Sequence, residues 1–219
     1  MMKQAMIWRW FGVVVLAMLA WGWGAALRAE PKAPDVLVKE ISDEVIERLK
    51  QRPIKSDADL NEWLAYVEQR VLPHFNFERM TMLAVGQPWR QATPEQRQRL
   101  TQEFKTLLVR TYANALREYR DEKLEFKPLR MAPGDKTVRV SSVVIRPGSE
   151  PIAVDYMMEL KDDGWKVFDV VVAGVSLVTS YRSTFGQEIQ AKGIDGLIQT
   201  LAEKNARGET MPADTAKQG

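Results

Sequence analysis

The sequence predicts an α+β fold, in which helices at both ends of the chain flank an antiparallel sheet. Apolar residues recur at helical spacing from Asp35 to about Arg120, whereas every second residue is apolar in several stretches between residues 123 and 172. Helical spacing then returns from Ser176 to about Arg207. Helices, then strands with tight connections, then helices again are typical of α+β domains.

The N-terminal segment has the order of a secretory signal peptide. Basic Lys3 and Arg9 precede an apolar run of residues 10–23, and small residues follow up to Ala29. The run is short for a membrane span, which takes about 20 residues. We therefore expect export and cleavage after Ala29. Cleavage after Ala26 and an uncleaved N-terminal anchor are the alternatives.

Charge and cysteine content restrict the function of the remaining chain. The formal charge of +2 comes from the basic residues of the signal segment, and residues 30–219 carry about −1. Without a basic stripe, nucleic-acid binding is not expected. The absence of cysteine excludes both disulfides and a lipid-anchored N-terminus. An exported domain without disulfides must be held together by its hydrophobic core.

Helices are predicted in order along the first half of the domain. The first covers Asp35 to Lys50, and Pro53 separates it from a second that Ser56 or Asp57 caps. This second helix ends at Pro73, and the next, shorter one is closed by Gly86.

A longer helix follows, and its start is the clearest local signal in the chain. Thr93, Pro94 and Gln96 occupy the N-cap, N1 and N3 positions of a capping box. The apolar stripe that follows predicts a helix to about Arg120.

Three or four strands are predicted next, joined by tight turns in a meander. KLEFKPLR is a weak strand, and KTVRVSSVVIR, PIAVDYMMEL and GWKVFDVVV are stronger ones. Strict alternation makes the last one apolar on both faces, with Trp165, Val167 and Val171 on one and Phe168, Val170 and Val172 on the other. In an antiparallel sheet, one face is usually exposed to water. Such a strand therefore indicates either helices on both sides or an apolar cavity on one side.

Two C-terminal helices complete the prediction. They cover Ser176–Lys192 and Ile194 to about Arg207, with Gly193 between them. The predicted organisation is thus a signal peptide at 1–29, one domain at 30–207 and a flexible tail at 208–219.

Few residues could support catalysis or metal binding. His74 is the only histidine, so neither a nucleophilic triad nor a cysteine–histidine metal site is expected, and no cofactor is predicted. Asp169 lies in the middle of an apolar strand, where burial would raise its pKa. It could be a general base, alone or paired with Asp155, or it could accept structural hydrogen bonds. The sequence leaves both possibilities open and favours the structural one.

Several short sequence motifs follow one another in a specific order. They are G-x-x-W-R-x-A-T-P-E-Q from Gly86, T-Y-A-x-A-L from Thr111, D-V-V-V-x-G-V-S-L-V from Asp169, Y-R-x-x-F from Tyr181 and K-G-I-D-G-L from Lys192. Together with the stretches around them, 76–116 and 164–201, they closely resemble the MlaC family of periplasmic phospholipid-binding proteins, also called the toluene-tolerance family. The match covers nearly all of the chain after residue 29. At Ala173, by contrast, the family often carries a glutamate.

The resemblance implies an NTF2-like fold, with a curved antiparallel sheet, helices packed on it and an apolar pocket between. It implies a non-enzymatic, soluble periplasmic carrier of phospholipid. Its partners would be a lipoprotein–porin complex at the outer membrane and an ABC transporter complex with a lipid-transfer (MCE-type) subunit at the inner membrane. We expect a monomer with buried acyl chains, an exposed headgroup and weak headgroup selectivity.

We choose the expected lipid-binding residues by their position within the matching stretches and by the face on which each side chain lies. They are Leu108, Tyr112 and Leu116 on the long helix, Val140, Val144, Val154 and Tyr156 on the sheet, and Phe168, Val170, Val172, Val175 and Leu177 in the last strand and turn. Arg90, Arg182 and Lys192 are weaker candidates for docking to partners. Two other functions stay open, an NTF2-like enzyme that uses Asp169 or Asp155 and a ligand-free periplasmic adaptor.

Overall fold

Five α-helices and a five-stranded antiparallel sheet form the described part of the chain. This computed structural model describes residues 31–113, 116, 119, 121–146, 148–211 and 213, which belong to one compact unit, Pro31–Gly219. The predicted signal peptide, residues 1–29, lies outside the described residues, as do residues 212 and 214–219 of the predicted tail.

The elements follow the predicted α+β order. The helices are α1 Pro34–Gln51, α2 Asp57–Arg70, α3 Phe77–Val85, α4 Pro94–Ala113 and α5 Arg182–Arg207. The strands are β1 Lys123–Phe126, β2 Thr137–Ile145, β3 Ile152–Lys161, β4 Gly164–Val172 and β5 Val175–Ser176. They pair in sequence order as an antiparallel meander, which confirms the predicted topology.

Capping boxes begin two of the helices. At α2, the Asp59 amide donates to Ser56 Oγ at 3.2 Å, and the Ser56 amide donates to Asp59 Oδ2 at 2.8 Å. At α4, the Gln96 amide donates to Thr93 Oγ1 at 3.2 Å, and the Thr93 amide donates to Gln96 Oε1 at 3.0 Å. Both starts were predicted from sequence, and Ser56 rather than Asp57 is the cap of α2.

The long helix α4 is shorter than predicted. It ends at Ala113, whereas the apolar stripe predicted a helix to about Arg120. Residues 114, 115, 117, 118 and 120 lie outside the described part, but Tyr119 is not helical. Asp121 has φ of +60°, which a right-handed helix excludes. The chain has therefore left the helix before β1 begins.

A β-bulge interrupts the pairing of β3 with β4. Met157 lies opposite Asp169, but its neighbour Met158 lies opposite Val167, so Phe168 is an extra residue in β4. Because side chains alternate between the faces of a sheet, one extra residue exchanges the faces of all residues on one side of it.

The bulge explains why β4 looks apolar on both faces. Beyond it, Val170 and Val172 face the same side as Trp165 and Val167, because each pairs with an even-numbered residue of β3. The predicted assignment of these valines to opposite faces is therefore wrong. Strict alternation also places Asp169 on the same face as Trp165. In the structure Asp169 lies on the opposite face, because it pairs with the odd-numbered Met157.

The C-terminal helix is broken where the sequence predicted a stop. Within α5, Gly193 has φ of 73° and ψ of −178°, so the helix consists of two segments. Its start is later than the predicted Ser176, because Val175 and Ser176 pair with β4 as β5. A 3₁₀ turn at Thr179–Tyr181 then leads into the helix.

Two apolar clusters hold the fold together. One joins α3, α4 and α5, where the Phe104 ring meets Tyr181 and Phe185 edge-on at centroid distances of 5.3 and 5.1 Å. The other joins α1 to one face of the sheet and contains Val38, Val138, Val140, Met158, Trp165 and Val167. The first cluster forms a closed helical layer. The second fills only part of the space between α1 and the sheet.

Gly196 provides a test of the break in α5. A Cβ at Gly196 would lie 2.1 Å from Lys192 Cβ, whereas a Cβ at Gly186, earlier in the same helix, meets nothing within 4 Å. We expect Gly196→Ala to lower the free energy of unfolding by about 1–3 kcal/mol, as overpacking does. Gly186→Ala should raise it by up to about 1 kcal/mol through helix propensity. Urea denaturation measures both, and equal effects would contradict the described geometry of the break.

Candidate functional site

Two adjoining apolar pockets, which we call lobes, lie between the helices and the sheet. The large lobe has a volume of about 450 Å³ and the small lobe about 270 Å³. Both lobes are lined by Val45, Val71, Phe75 and Leu116, which we call the shared wall. Ligand pockets in proteins are usually concave, mostly apolar and of about 300–1,000 Å³.

The large lobe lies between α1 and the sheet. Its apolar lining comes from α1, from β1 to β4 and from the segment after α2, and includes Leu37, Ile41, Ile46, Leu49, Leu124, Val144, Met158 and Val167. Polar groups also line it, namely Ser42, His74, Tyr119, Glu122, Arg146 and Tyr156. Burial lowers the pKa of His74, which favours a neutral imidazole.

The small lobe is more strictly apolar and lies between α2, α3, α4 and the second half of β4. Its lining includes Leu60, Trp63, Leu64, Val67, Phe77, Met80, Leu108, Tyr112, Val170 and Leu177. The polar atoms of this wall have partners in the protein. The Trp63 indole donates to the Arg52 carbonyl at 3.0 Å. The Tyr112 hydroxyl is hydrogen-bonded to Tyr181, and burial raises the pKa of Tyr112 far above its usual range.

The apolar stripes of α1 and α2 are only half-buried. Ile41, Val45 and Ile46 on α1 and Leu64 and Val67 on α2 face the lobes and retain accessible surface. In the closed layer of α3, α4 and α5, the corresponding residues are fully buried. The two N-terminal helices therefore present apolar surface to a space that an apolar ligand would fit.

The outer sides of α1 and α2 are joined by charged contacts. The Arg48 guanidinium lies 4.5 Å from the Tyr66 ring centroid and 5.4 Å from that of Trp63. Arg70 donates to both carboxylate oxygens of Glu44, at 3.1 and 2.9 Å, and thereby lowers the pKa of Glu44. These contacts keep the two helices together from the solvent side, without filling the space inside.

A short segment after α2 fixes the shared wall to the sheet. The Asn76 amide donates to the Val167 carbonyl at 2.8 Å, and Phe75 pairs with Val167 as an isolated parallel bridge. The Lys166 ammonium donates to the Pro73 carbonyl at 2.8 Å. The Phe75 ring is thereby held between the lobes, stacked on Phe77 at 5.8 Å.

The structure places seven of the expected lipid-binding residues on the walls of the lobes. Leu108, Tyr112, Val170 and Leu177 line the small lobe, Val144 and Tyr156 line the large lobe, and Leu116 belongs to the shared wall. Whether they contact lipid stays a prediction.

The other five expected residues lie outside both linings. Val140, 1% exposed, is packed in the cluster between α1 and the sheet. Phe168 is the bulge residue, and its ring lies under the Arg79 guanidinium at 3.7 Å. Val154, Val172 and Val175 form a row across β3, β4 and β5. These five residues do not line either lobe, and lipid contact stays a prediction for them as it does for the other seven.

Sequence reasoning missed most of the wall that α1 and α2 contribute. Their helical stripes were recognised, but the same spacing serves a helix that packs on protein and one that faces a cavity. Only the tertiary arrangement distinguishes them. Phe75 and Phe77 were missed for a different reason, because they lie at the boundary of a short helix, where no periodicity can assign a face.

The expected docking residues lie outside both lobes. Arg182 donates from Nε and Nη2 to the Leu83 carbonyl, at 3.1 and 2.7 Å, and so ties α5 to the end of α3. The Lys192 ammonium lies 3.0 Å from Glu188 Oε2. Arg90 is exposed. Two of the three thus have structural contacts, and partner docking remains a prediction for all of them.

The two candidate acid–base residues have structural partners. Asp169, 7% exposed, accepts from the Ser176 hydroxyl at 2.6 Å and from the Val178 amide at 3.3 Å. Burial raises its pKa. Asp155 lies 3.9 Å from Arg139. Neither carboxylate lines a lobe, so the geometry favours the structural interpretation of Asp169.

Within the described ranges, no group of histidine, cysteine, aspartate or glutamate side chains could hold a metal ion. The same ranges contain no helix long and apolar enough to cross a membrane.

Comparison with known proteins agrees with the geometry. The family model described as MlaC protein matches residues 39–203. The chain is 24% identical over 198 residues to the intermembrane phospholipid transport system binding protein MlaC of Haemophilus influenzae, covering 89% of this chain and 92% of that protein. It is 31% identical over 134 residues to the toluene tolerance protein ttg2D of Pseudomonas putida, covering 58% of this chain and 62% of that protein.

A solved structure is also similar. It is the phospholipid-binding protein of Ralstonia solanacearum in complex with a phospholipid, with 39% identity and a TM-score of 0.72. The similarity covers 80% of this chain and 97% of that one. The family model spans most of the domain, and the solved relative has the same fold. The chain therefore belongs to the MlaC family.

Proposed function

We propose that this protein is a phospholipid carrier that holds acyl chains in the two lobes and leaves the headgroup exposed to solvent. The observation that carries the proposal is the pair of adjoining lobes, whose walls are apolar side chains that the protein itself covers only in part. Support comes from the Ralstonia relative, which binds a phospholipid, and from the transport role in the name of the Haemophilus relative.

The energetics of binding favour extraction of lipid from water or from a membrane partner. Each buried CH₂ group contributes about 0.8 kcal/mol, so two acyl chains supply a large driving force without specific headgroup contacts. A headgroup that stays hydrated avoids the cost of desolvating its charges. Such a site binds many phospholipids with similar affinity.

The cellular setting follows from the same proposal. Residues 1–29 direct export, and the carrier works in the periplasm as a monomer. It exchanges lipid with a lipoprotein–porin complex at the outer membrane and with an ABC transporter complex, through its MCE-type subunit, at the inner membrane. Net movement from outer to inner membrane maintains the lipid asymmetry of the outer membrane. The near-neutral charge of residues 30–219 is consistent with such partners and not with nucleic acid.

The site is not enzymatic in this proposal. Asp169 and Asp155 lie away from both lobes, and the titratable residues of the large lobe include no nucleophile paired with a base. A ligand-free adaptor is disfavoured by the half-buried apolar walls, since an adaptor has no use for internal apolar surface.

Val45 tests the cavity, because it belongs to the shared wall. We expect Val45→Trp to reduce the phospholipid that co-purifies with the protein, since the indole enters the space that acyl chains would occupy. The free energy of unfolding should change by less than about 1 kcal/mol, whereas overpacking a closed core costs about 1–3 kcal/mol. Native mass spectrometry measures the lipid, and urea denaturation measures the stability.

The matched control is Val36→Trp on the same helix. Val36 is 43% exposed and lies outside both linings, so this variant should keep both its lipid and its stability to within about 0.5 kcal/mol. If folded Val45→Trp carries as much phospholipid as Val36→Trp, acyl chains do not occupy the lobes.

Asp169 tests the enzymatic alternative. Its replacement by alanine leaves the Val178 amide without its acceptor, which we expect to lower the free energy of unfolding by about 1–3 kcal/mol. Asp155→Ala should change it by no more than about 0.5 kcal/mol. Bound phospholipid, measured in the folded fraction, should be unchanged in both. A variant that keeps wild-type stability but loses turnover of a substrate would instead establish a catalytic role.

A further inference from the structure

An ion pair belongs to the lining of the large lobe, at the edge where β1 begins and β2 ends. Arg146 Nε and Nη2 each lie 2.9 Å from Glu122 Oε1. Glu122 directly precedes β1 and Arg146 directly follows β2. Because Lys123 and Ile145 pair across these strands, the two charged side chains meet just beyond the end of the ladder. They are 24 residues apart in sequence, so no local motif indicates the pair.

The two partners differ in their access to water. Glu122 is 9% exposed, whereas the Arg146 side chain is 47% exposed. Among the described residues that line the lobes, Arg146 is the only lysine or arginine, and Glu122 is the only aspartate or glutamate. Next to them, the lining changes to Leu124 and Val144. The guanidinium is therefore at the boundary between apolar wall and solvent, where a phosphodiester joins acyl chains to a headgroup.

We propose that Arg146 contacts the phosphate of the bound phospholipid, and that Glu122 positions the guanidinium and offsets its charge. This inference rests on the proposed carrier function. A guanidinium has five N–H donors in a planar fork that suits phosphate oxygens. Glu122 engages Nε and Nη2, and the guanidinium carries further donors that can reach a lipid phosphate.

The charge balance of the pair predicts how headgroups are distinguished. All glycerophospholipids present the same phosphodiester, but phosphatidylethanolamine adds a cation and phosphatidylglycerol does not. Glu122 compensates Arg146. Burial and then the charges of Asp121, Glu122 and Glu47 raise the pKa of Tyr119, so two further carboxylates also act near the pair. With this balance of charges around Arg146, net-anionic lipids have no advantage in binding affinity over zwitterionic ones.

A purely structural role for the pair makes a different prediction. If Glu122 and Arg146 only close the edge of β1 and β2, neutralising either one lowers stability and leaves the composition of bound lipid unchanged. If they face the headgroup, the two substitutions shift the composition in opposite directions. The sign of the shift separates the two roles even when both variants lose some stability.

The test uses the full mature chain, freed of lipid and incubated with vesicles of equal phosphatidylglycerol and phosphatidylethanolamine with identical acyl chains. Bound lipid is then quantified by mass spectrometry. We expect Glu122→Gln to raise the ratio of bound phosphatidylglycerol to phosphatidylethanolamine by roughly two- to fivefold, the size expected when its partner Arg146 and the headgroup stay in contact with water. Arg146→Gln should lower it by a similar factor, and both shifts should shrink at high salt.

Two further variants complete the comparison. Arg139→Gln removes an exposed arginine from β2 that pairs with Asp155 and lies outside both lobes, and it should leave the ratio unchanged. Arg146→Lys keeps the charge but not the planar fork. It should preserve the wild-type ratio while binding less of both lipids.

The outcomes separate this inference from the function on which it rests. If the wild type takes up phospholipid, but Glu122→Gln and Arg146→Gln keep its ratio, the headgroup role is overturned and the carrier function stands. If the wild type takes up no phospholipid, the carrier function itself fails. Titration with inorganic phosphate should give no saturable binding. Saturable binding that Arg146→Gln abolishes would assign the arginine to free phosphate and overturn the proposal.

Discussion

The site depends on a separation between two apolar surfaces. Helices α1 and α2 turn apolar side chains towards the sheet, yet many of these side chains line a space instead of meeting the opposite wall. Apolar surfaces attract each other in water, so a ligand that covers this exposed apolar surface gains free energy. Two groups of contacts fix the elements around the space. The segment around Asn76 is bonded to β4, and the charged contacts of Arg48 and Arg70 tie the helices to each other on their solvent side.

The rest of the fold supplies rigidity to this arrangement. The layer of α3, α4 and α5 is fully packed around Phe104, Tyr181 and Phe185, and it gives the cavity one firm wall. Asp169 anchors the turn from β4 through β5 to the 3₁₀ turn before α5, using its carboxylate as an acceptor. Asp169, the candidate general base, thus positions the helical layer against the sheet.

Much of the fold could be predicted from sequence, because caps, glycines and periodicity are local signals. Thr93 and Gln96 marked the start of α4, and Gly193 marked the break in α5. The bulge at Phe168 could not be predicted, since a bulge is defined by the partner strand. For the site, the facing of α4 indicated Tyr112, but no pattern indicated that Ile41 or Val45 faces a cavity. The Glu122–Arg146 pair could not be predicted either, because only the pairing of β1 with β2 brings the two residues together.

Because Val45, Val71, Phe75 and Leu116 line both lobes, the two lobes lie side by side, and a ligand with two chains joined at one end would fill them as the prongs of a fork. A ligand with one hydrocarbon chain can fill one prong and leaves the apolar surface of the other in contact with water. With two chains joined at one end, the entry of the second is an intramolecular event, favoured by a high effective concentration. The branching of the ligand, rather than the chemistry of its head, then becomes the main property that the protein measures. In the proposed carrier, single-chain amphiphiles such as detergents and free fatty acids would gain less from the two lobes than a two-chain lipid does.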